Sequence, residues 1–305
     1  MCGIIGVVLG DKVRSEGEYE RIREDFATML VAAQARGTDA AGLYVVNSDG
    51  ISVHAAAGSA AALATTDEFW SVLNEVGPTT IAIVGHTRHA TTGSPNVNDN
   101  NHPIVDSRLV GVHNGVIYNH MALRRKYGAV AEVDSAAILS TLMHQRTETS
   151  GHLTTGDIRQ AMPQVEGSWA IAVADFDRPD VLFLARNAGS PMQITHERKR
   201  QALWFASTNT ILSQGLGRTV RATTLPAWSV AKLTRKVART GRVLHASIQA
   251  PKVHRPVDCH GLEDWQVFTG VYGADVGTYG HKYSFFDEGA ASAAALKTAQ
   301  KGFTL

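Results

Sequence analysis

The chain has 305 residues, 44% hydrophobic and 19% charged, an ordinary globular composition with room for one large domain or two smaller ones. With 29 basic residues against 28 acidic and a net charge of +1, there is no electrostatic case for nucleic acid or an anionic membrane as the main partner. No run of 18 apolar residues and no secretory leader is read, and Cys2 and Cys259 alone make no disulfide framework, so a cytoplasmic, reducing location is expected.

In chain order, Gly3–Leu9 is a short Ile- and Val-rich run that predicts a buried strand. Residues 19–35 carry Ile22, Phe26, Met29, Leu30 and Ala33 at helical spacing. Residues 43–46 and 51–53 flank Asn47-Ser48-Asp49-Gly50, a hairpin signal. Residues 80–85 and 108–112 predict two more buried strands, and 134–144 a helix with Asp134 near its N-terminus. Residues 168–175 and 181–185 predict a second hairpin, and 203–206 another strand. Strand pairs outnumber crossover units, which favours antiparallel sheets covered by helices, an α+β class.

Three polar segments carry the chemistry. Cys2 follows the initiator methionine. Once Met1 is removed, one residue would hold a thiol and a free α-amine, whose ordinary pKa of about 7.7–8.0 makes it a base for that thiol. The alternative is a buried small residue. His86-Thr87-Arg88-His89-Ala90-Thr91 leaves a buried strand for a glycine- and proline-bracketed loop. There Arg88, with His86 and the hydroxyls, suits a small anionic group such as a carboxylate. His86 and His89 lack the further ligands that a zinc site needs, and no metal or other cofactor is expected. Asn114-Gly115 reads in isolation as a two-residue hairpin turn, and otherwise as two donors aimed at one oxygen.

Cys2-Gly3-Ile4-Ile5-Gly6, Arg36-Gly37-Thr38-Asp39, Gly85-His86-Thr87-Arg88, Asn101-His102-Pro103, His113-Asn114-Gly115 and Asp134-Ser135 occur in that order. The series resembles the glutaminase domain of class II glutamine amidotransferases, nearest in wording to the glucosamine-6-phosphate synthase branch. Ala185-Arg186-Asn187 and Phe205-Ala206-Ser207 resemble later family segments. The resemblance implies the four-layer αββα fold of N-terminal nucleophile hydrolases over residues 2–230. It implies Cys2 as nucleophile with its α-amine as base, and Asn114 and Gly115 as oxyanion hole. Arg88, helped by Thr91, would bind the α-carboxylate of L-glutamine and Asp134 its α-ammonium, with His86 also among the substrate-binding residues. Arg36, Gly37 and Asp39 would support the nucleophile segment.

Three positions depart from the family pattern: His89 stands where the nearest relatives carry tryptophan, Thr92 where they often carry histidine, and Ala136 where an acidic residue is usual. Residues 231–305 read as a C-terminal extension, too short for a synthase domain and expected to pack on its own domain or dock a partner. The expected function is therefore a glutaminase subunit that passes ammonia to a separate acceptor enzyme. A standalone hydrolase of another γ-glutamyl or amide compound, or a silent regulatory relative, are the alternatives.

Overall fold

The computed structural model describes residues 2–149 and 151–251. Residues 252–305 of the expected C-terminal extension, Cys259 among them, lie outside the described residues. Strands β1 (Gly3–Leu9), β2 (Ala40–Asn47), β3 (Gly50–Ala57) and β4 (Thr80–Arg88) are followed by β5 (Ile104–Asp106) and β6 (Leu109–Ile117). Next come β7 (Gly167–Asp175), β8 (Arg178–Arg186), β9 (Gln193–Glu197) and β10 (Ala202–Ala206), then β11 (Thr223–Thr224), β12 (Ser229–Leu233) and β13 (His245–Ser247). The helices are α1 (Glu16–Ala33), α2 (Ala60–Leu63), α3 (Asp67–Leu73) and α4 (His120–Tyr127). They continue with α5 (Asp134–Thr149), α6 (Thr155–Ala161), α7 (Asn209–Gly215) and α8 (Arg235–Thr240).

The strands form two antiparallel sheets, ordered β11-β9-β10-β1-β4-β2-β3 and β13-β12-β8-β7-β6-β5. The period-2 alternation of side chains sorts each strand's residues between two layers. In β1, Ile5, Val7 and Leu9 pack under α1, α2, α3 and α7, whereas Ile4 and Val8 face the second sheet. In β7, Trp169, Ile171 and Val173 meet α4, α5 and α6, while Ala170, Ala172 and Ala174 face the first sheet. Both faces of each sheet are therefore apolar and both are covered. This is the αββα sandwich, and its cross-sheet contacts include the Tyr44 hydroxyl donating to the Ala172 carbonyl at 3.1 Å.

Most expected strands are present, with longer limits, and the first hairpin turns at Ser48-Asp49 between paired Asn47 and Gly50. The Asn114-Gly115 turn is overturned. Both residues lie inside β6, paired with Ala170 and Trp169 of β7. The expected boundary at residue 230 falls inside β12, and α8 and β13 continue on the same unit, which runs to Pro251. Among the described residues, no helix is long and apolar enough to cross a membrane.

Candidate active site

The fold delivers its reactive residues to one end of the sandwich. Cys2 immediately precedes β1 and has the parity of Ile4, so it stands at the mouth of the layer between the sheets. Arg88 is the last residue of β4, and Asp134 the first of α5. Together with Thr91 and Gly115, these residues line one small cleft.

The Cys2 sulfur accepts the His89 backbone N–H at 3.3 Å and lies 3.6 Å from the His89 carbonyl oxygen. Burial pushes its thiol pKa up and the Asp134 charge adds to this, against the lowering effects of the His89 N–H and Arg88. A thiol so raised holds little thiolate near neutral pH, so attack requires a base that removes its proton.

Residues 36–39 brace this segment from below. Arg36 Nε donates to the Cys2 carbonyl at 2.6 Å. Asp39 Oδ2 accepts the Ala90 N–H at 2.7 Å, and the Asp39 N–H donates to the Arg88 carbonyl at 3.0 Å. Gly37 lies so close that a Cβ there would stand 2.4 Å from the Arg88 carbonyl carbon. The His89 imidazole, more than half exposed, has its Nδ1 3.5 Å from Asp39 Oδ2.

Arg88 is only 3% exposed, and three of its hydrogen bonds order the loop that follows. Nη1 donates to Asn101 Oδ1 at 2.8 Å, and Nη2 to the Thr92 and Gly93 carbonyls at 2.6 and 2.8 Å. Asp134 Oδ2 accepts the Ile117 N–H at 2.8 Å, tying the start of α5 to the end of β6. Thr91 is exposed at the cleft wall. Ala136 is buried in the layer between α5 and the sheet, away from the cleft lining.

Two expected site residues lie deeper. Asn114 is buried and does not line the cleft; its amide nitrogen donates to Ser207 Oγ at 2.7 Å. His86 was expected at the substrate, but its side chain is fully buried and bonded to the His113 carbonyl at 3.0 Å. The reason is the strand period. His86 shares Arg88's face two residues further from the strand end, where β6 covers it. It also stacks on His102, with ring centroids 4.2 Å apart.

Burial lowers the pKa of all three inner histidines: His86 to about 3, His102 well below the ordinary value, and His113 downward. Between the unfolded value near 6.5 and these depressed values the unfolded chain binds more protons, so stability is lost as pH falls. For His86 alone this is about 1.4 kcal/mol per pH unit, or about 2 kcal/mol from pH 6.5 to 5. Urea unfolding midpoints at pH 7 and pH 5 measure it; the expected fall is smaller in His86→Gln, and a flat profile contradicts it.

Sequence reasoning attached no role to Ser207, Ser135, His113 or Asn101, although all four stand inside the quoted motifs. Ser135 Oγ meets His113 Nδ1 at 2.8 Å, which fixes that ring. Their signal was a polar residue in an otherwise apolar run.

Residues 86–214 match the model of the glutamine amidotransferase domain. Over those residues the chain is similar in sequence to glutamine amidotransferases. It is 32% identical over 200 residues to the glutamine–fructose-6-phosphate aminotransferase (isomerizing) of Salmonella paratyphi A, covering 64% of this chain and 30% of that protein. The enzyme of the same name from Pectobacterium atrosepticum is 30% identical over 203 residues, with the same coverage. This chain therefore spans about 30% of the length of these relatives. Glutamine phosphoribosylpyrophosphate amidotransferase from B. subtilis shares the fold, with a TM-score of 0.57 at 18% identity, over 81% of this chain and 49% of that one.

Proposed function

We propose that this chain hydrolyses the side-chain amide of L-glutamine to glutamate and ammonia through a Cys2 thioester, and that the ammonia passes to an acceptor enzyme on another chain. The observation that carries the reading is the convergence of Cys2, Arg88 and Asp134 on one small cleft. A free amino acid offers one carboxylate and one ammonium, and this cleft offers one cation and one anion. Arg88 and Thr91 take the carboxylate and Asp134 takes the ammonium, leaving the side-chain amide directed at the sulfur.

With Met1 removed, the α-amine of Cys2 takes the thiol proton as sulfur bonds to the amide carbon. The charge that develops on oxygen is met by the Asn114 amide and the Gly115 N–H. The carbon–nitrogen bond then breaks, the proton leaves with ammonia, and water hydrolyses the thioester to glutamate and the free thiol. Arg36, Gly37 and Asp39 hold the Cys2 and Arg88–Ala90 backbones at the spacing this requires. The likeness to the glutamine–fructose-6-phosphate aminotransferases supports the ammonia-donating half of such a reaction.

The test is equimolar release of glutamate and ammonia from glutamine, compared with asparagine and simple amides, together with labelling of Cys2 by a glutamine-analogue electrophile. Faster turnover of an amide without an amino-acid head group would favour the standalone hydrolase. Asp134→Asn keeps an acceptor for the Ile117 N–H but removes the charge. It is expected to raise KM for glutamine roughly 10- to 100-fold, the scale of one charge-assisted hydrogen bond, with a smaller change in kcat. Steady-state kinetics checks this; an unchanged KM would remove Asp134 from the substrate site.

A further inference from the structure

We propose that Ser207 is a positioning residue that fixes the sense of the Asn114 amide and ties it to the strand carrying Cys2; this rests on the glutaminase reading above. Ser207 directly follows β10 and is fully buried. Its backbone N–H donates to the Ile4 carbonyl at 2.9 Å, continuing the ladder with β1 two residues beyond Cys2.

A serine hydroxyl has one proton to give and two lone pairs to receive. Here all three are used. The oxygen accepts the Ile4 N–H at 2.8 Å and the Asn114 Nδ2–H at 2.7 Å, and the proton is directed at the Ile4 carbonyl, 3.3 Å away. With both lone pairs occupied and the proton turned toward Ile4, the hydroxyl presents an acceptor to the NH2 end of Asn114. The amide's Oδ1 is buried and makes no hydrogen bond of ordinary geometry among the described residues, and the His86 ring is the other side chain that addresses this amide.

That matters for chemistry because the terminal torsion of asparagine is broad and roughly two-fold. Turned one way, the amide offers N–H to a developing oxyanion; turned the other, it offers oxygen, which repels it. Ser207 selects the first. It also joins the two sheets, since Ile4 lies in β1 of one and Asn114 in β6 of the other. One hydroxyl thereby holds the oxyanion donor in register with the nucleophile segment.

The experiment is Ser207→Ala in the full chain, with Asn114→Ala and the double variant. For Ser207→Ala, kcat for glutamine is expected to fall roughly 10- to 100-fold, while KM and the rate of Cys2 alkylation by iodoacetamide stay within about threefold. Alkylation needs the nucleophile but no oxyanion hole, so it reports whether β1 has moved. The double variant is expected to be no slower than Asn114→Ala alone, because the serine acts through that amide. The proposal is overturned if kcat is retained, if alkylation falls in step with kcat, or if the two substitutions multiply. Should Ser207→Ala fail to fold, Ser207→Cys carries the same comparisons. A parent protein that releases no glutamate overturns the glutaminase reading itself, a result distinct from an active parent indifferent to Ser207.

Discussion

Replacing Cys2 with alanine is expected to lower glutamate release from glutamine by roughly 10⁴- to 10⁶-fold, the scale seen when a covalent nucleophile is removed. The size follows from the division of labour in the cleft. In the proposed arrangement Arg88 and Asp134 would bind ground state and transition state alike, so they could not replace the bond that sulfur makes. The protein should still fold, because the backbone contacts of Cys2, the Arg36 bond to its carbonyl included, do not need the thiol. Glutamine binding to Cys2→Ala, measured by calorimetry, should stay near the parent KM while turnover is lost. Cys2→Ser is expected to be almost as slow, since its hydroxyl is a far poorer nucleophile at the same amine. Mass spectrometry of the active parent should find Met1 absent. Turnover by Cys2→Ala within tenfold of the parent, or an active parent that retains Met1, would end the thioester account.

The second large effect concerns Gly115. Its φ of +132° lies in the region that favours glycine, and a Cβ there would stand 1.8 Å from the Ser168 carbonyl oxygen of the neighbouring strand. Gly115→Ala must therefore either rotate the backbone or push β7 away from β6, two strands paired from Leu109 to Ile117. Backbone strain of about 1–2 kcal/mol and overpacking of about 1–3 kcal/mol add to roughly 2–5 kcal/mol of lost stability. For a domain of this size the melting temperature should drop on the order of 10 °C. The fraction that stays folded should still lose at least 100-fold in kcat, because both candidate oxyanion donors are displaced at once. Calorimetry and kinetics at 20 °C separate the two losses. A Gly115→Ala protein with parental melting temperature and rate would mean that the β6–β7 pairing yields without cost.

Strands were legible where their pattern is local and repeated. Gly3–Leu9 is apolar on both faces because both faces of β1 are buried, and the β2–β3 hairpin announces itself through its turn residues. Asn114-Gly115 failed as a turn for a tertiary reason. Its local preference is overridden because β7 runs alongside as far as Gly167, so the pair is held in the ladder. The short helices were missed because four to eight residues cannot show a helical period. Their caps were nonetheless on view: Thr66, Thr154, Thr208 and Thr234 each accept a backbone N–H three residues on. Within the site, residues at strand and helix ends were legible because polar groups there interrupt apolar runs. The depth of Asn114 and His86 was not, since which residues stand one step behind a cleft depends on how far the second sheet overlaps the first.

The position of β1 bears on how the domain is made. This strand lies between β4 and β10, and Ile4 is bonded to a residue 203 positions away. At ribosomal speeds of roughly 5–20 residues per second, β10 emerges on the order of 10–40 s after β1. Until then the first strand has one open edge. Long-range pairing of this kind slows folding, because loop closure must precede any contact that rewards it. The strand that closes this edge of β1 is thus made well after the residues that line the cleft, all of which precede residue 136, so a nascent chain halted before residue 202 carries the whole cleft lining on a first strand with one edge unpaired.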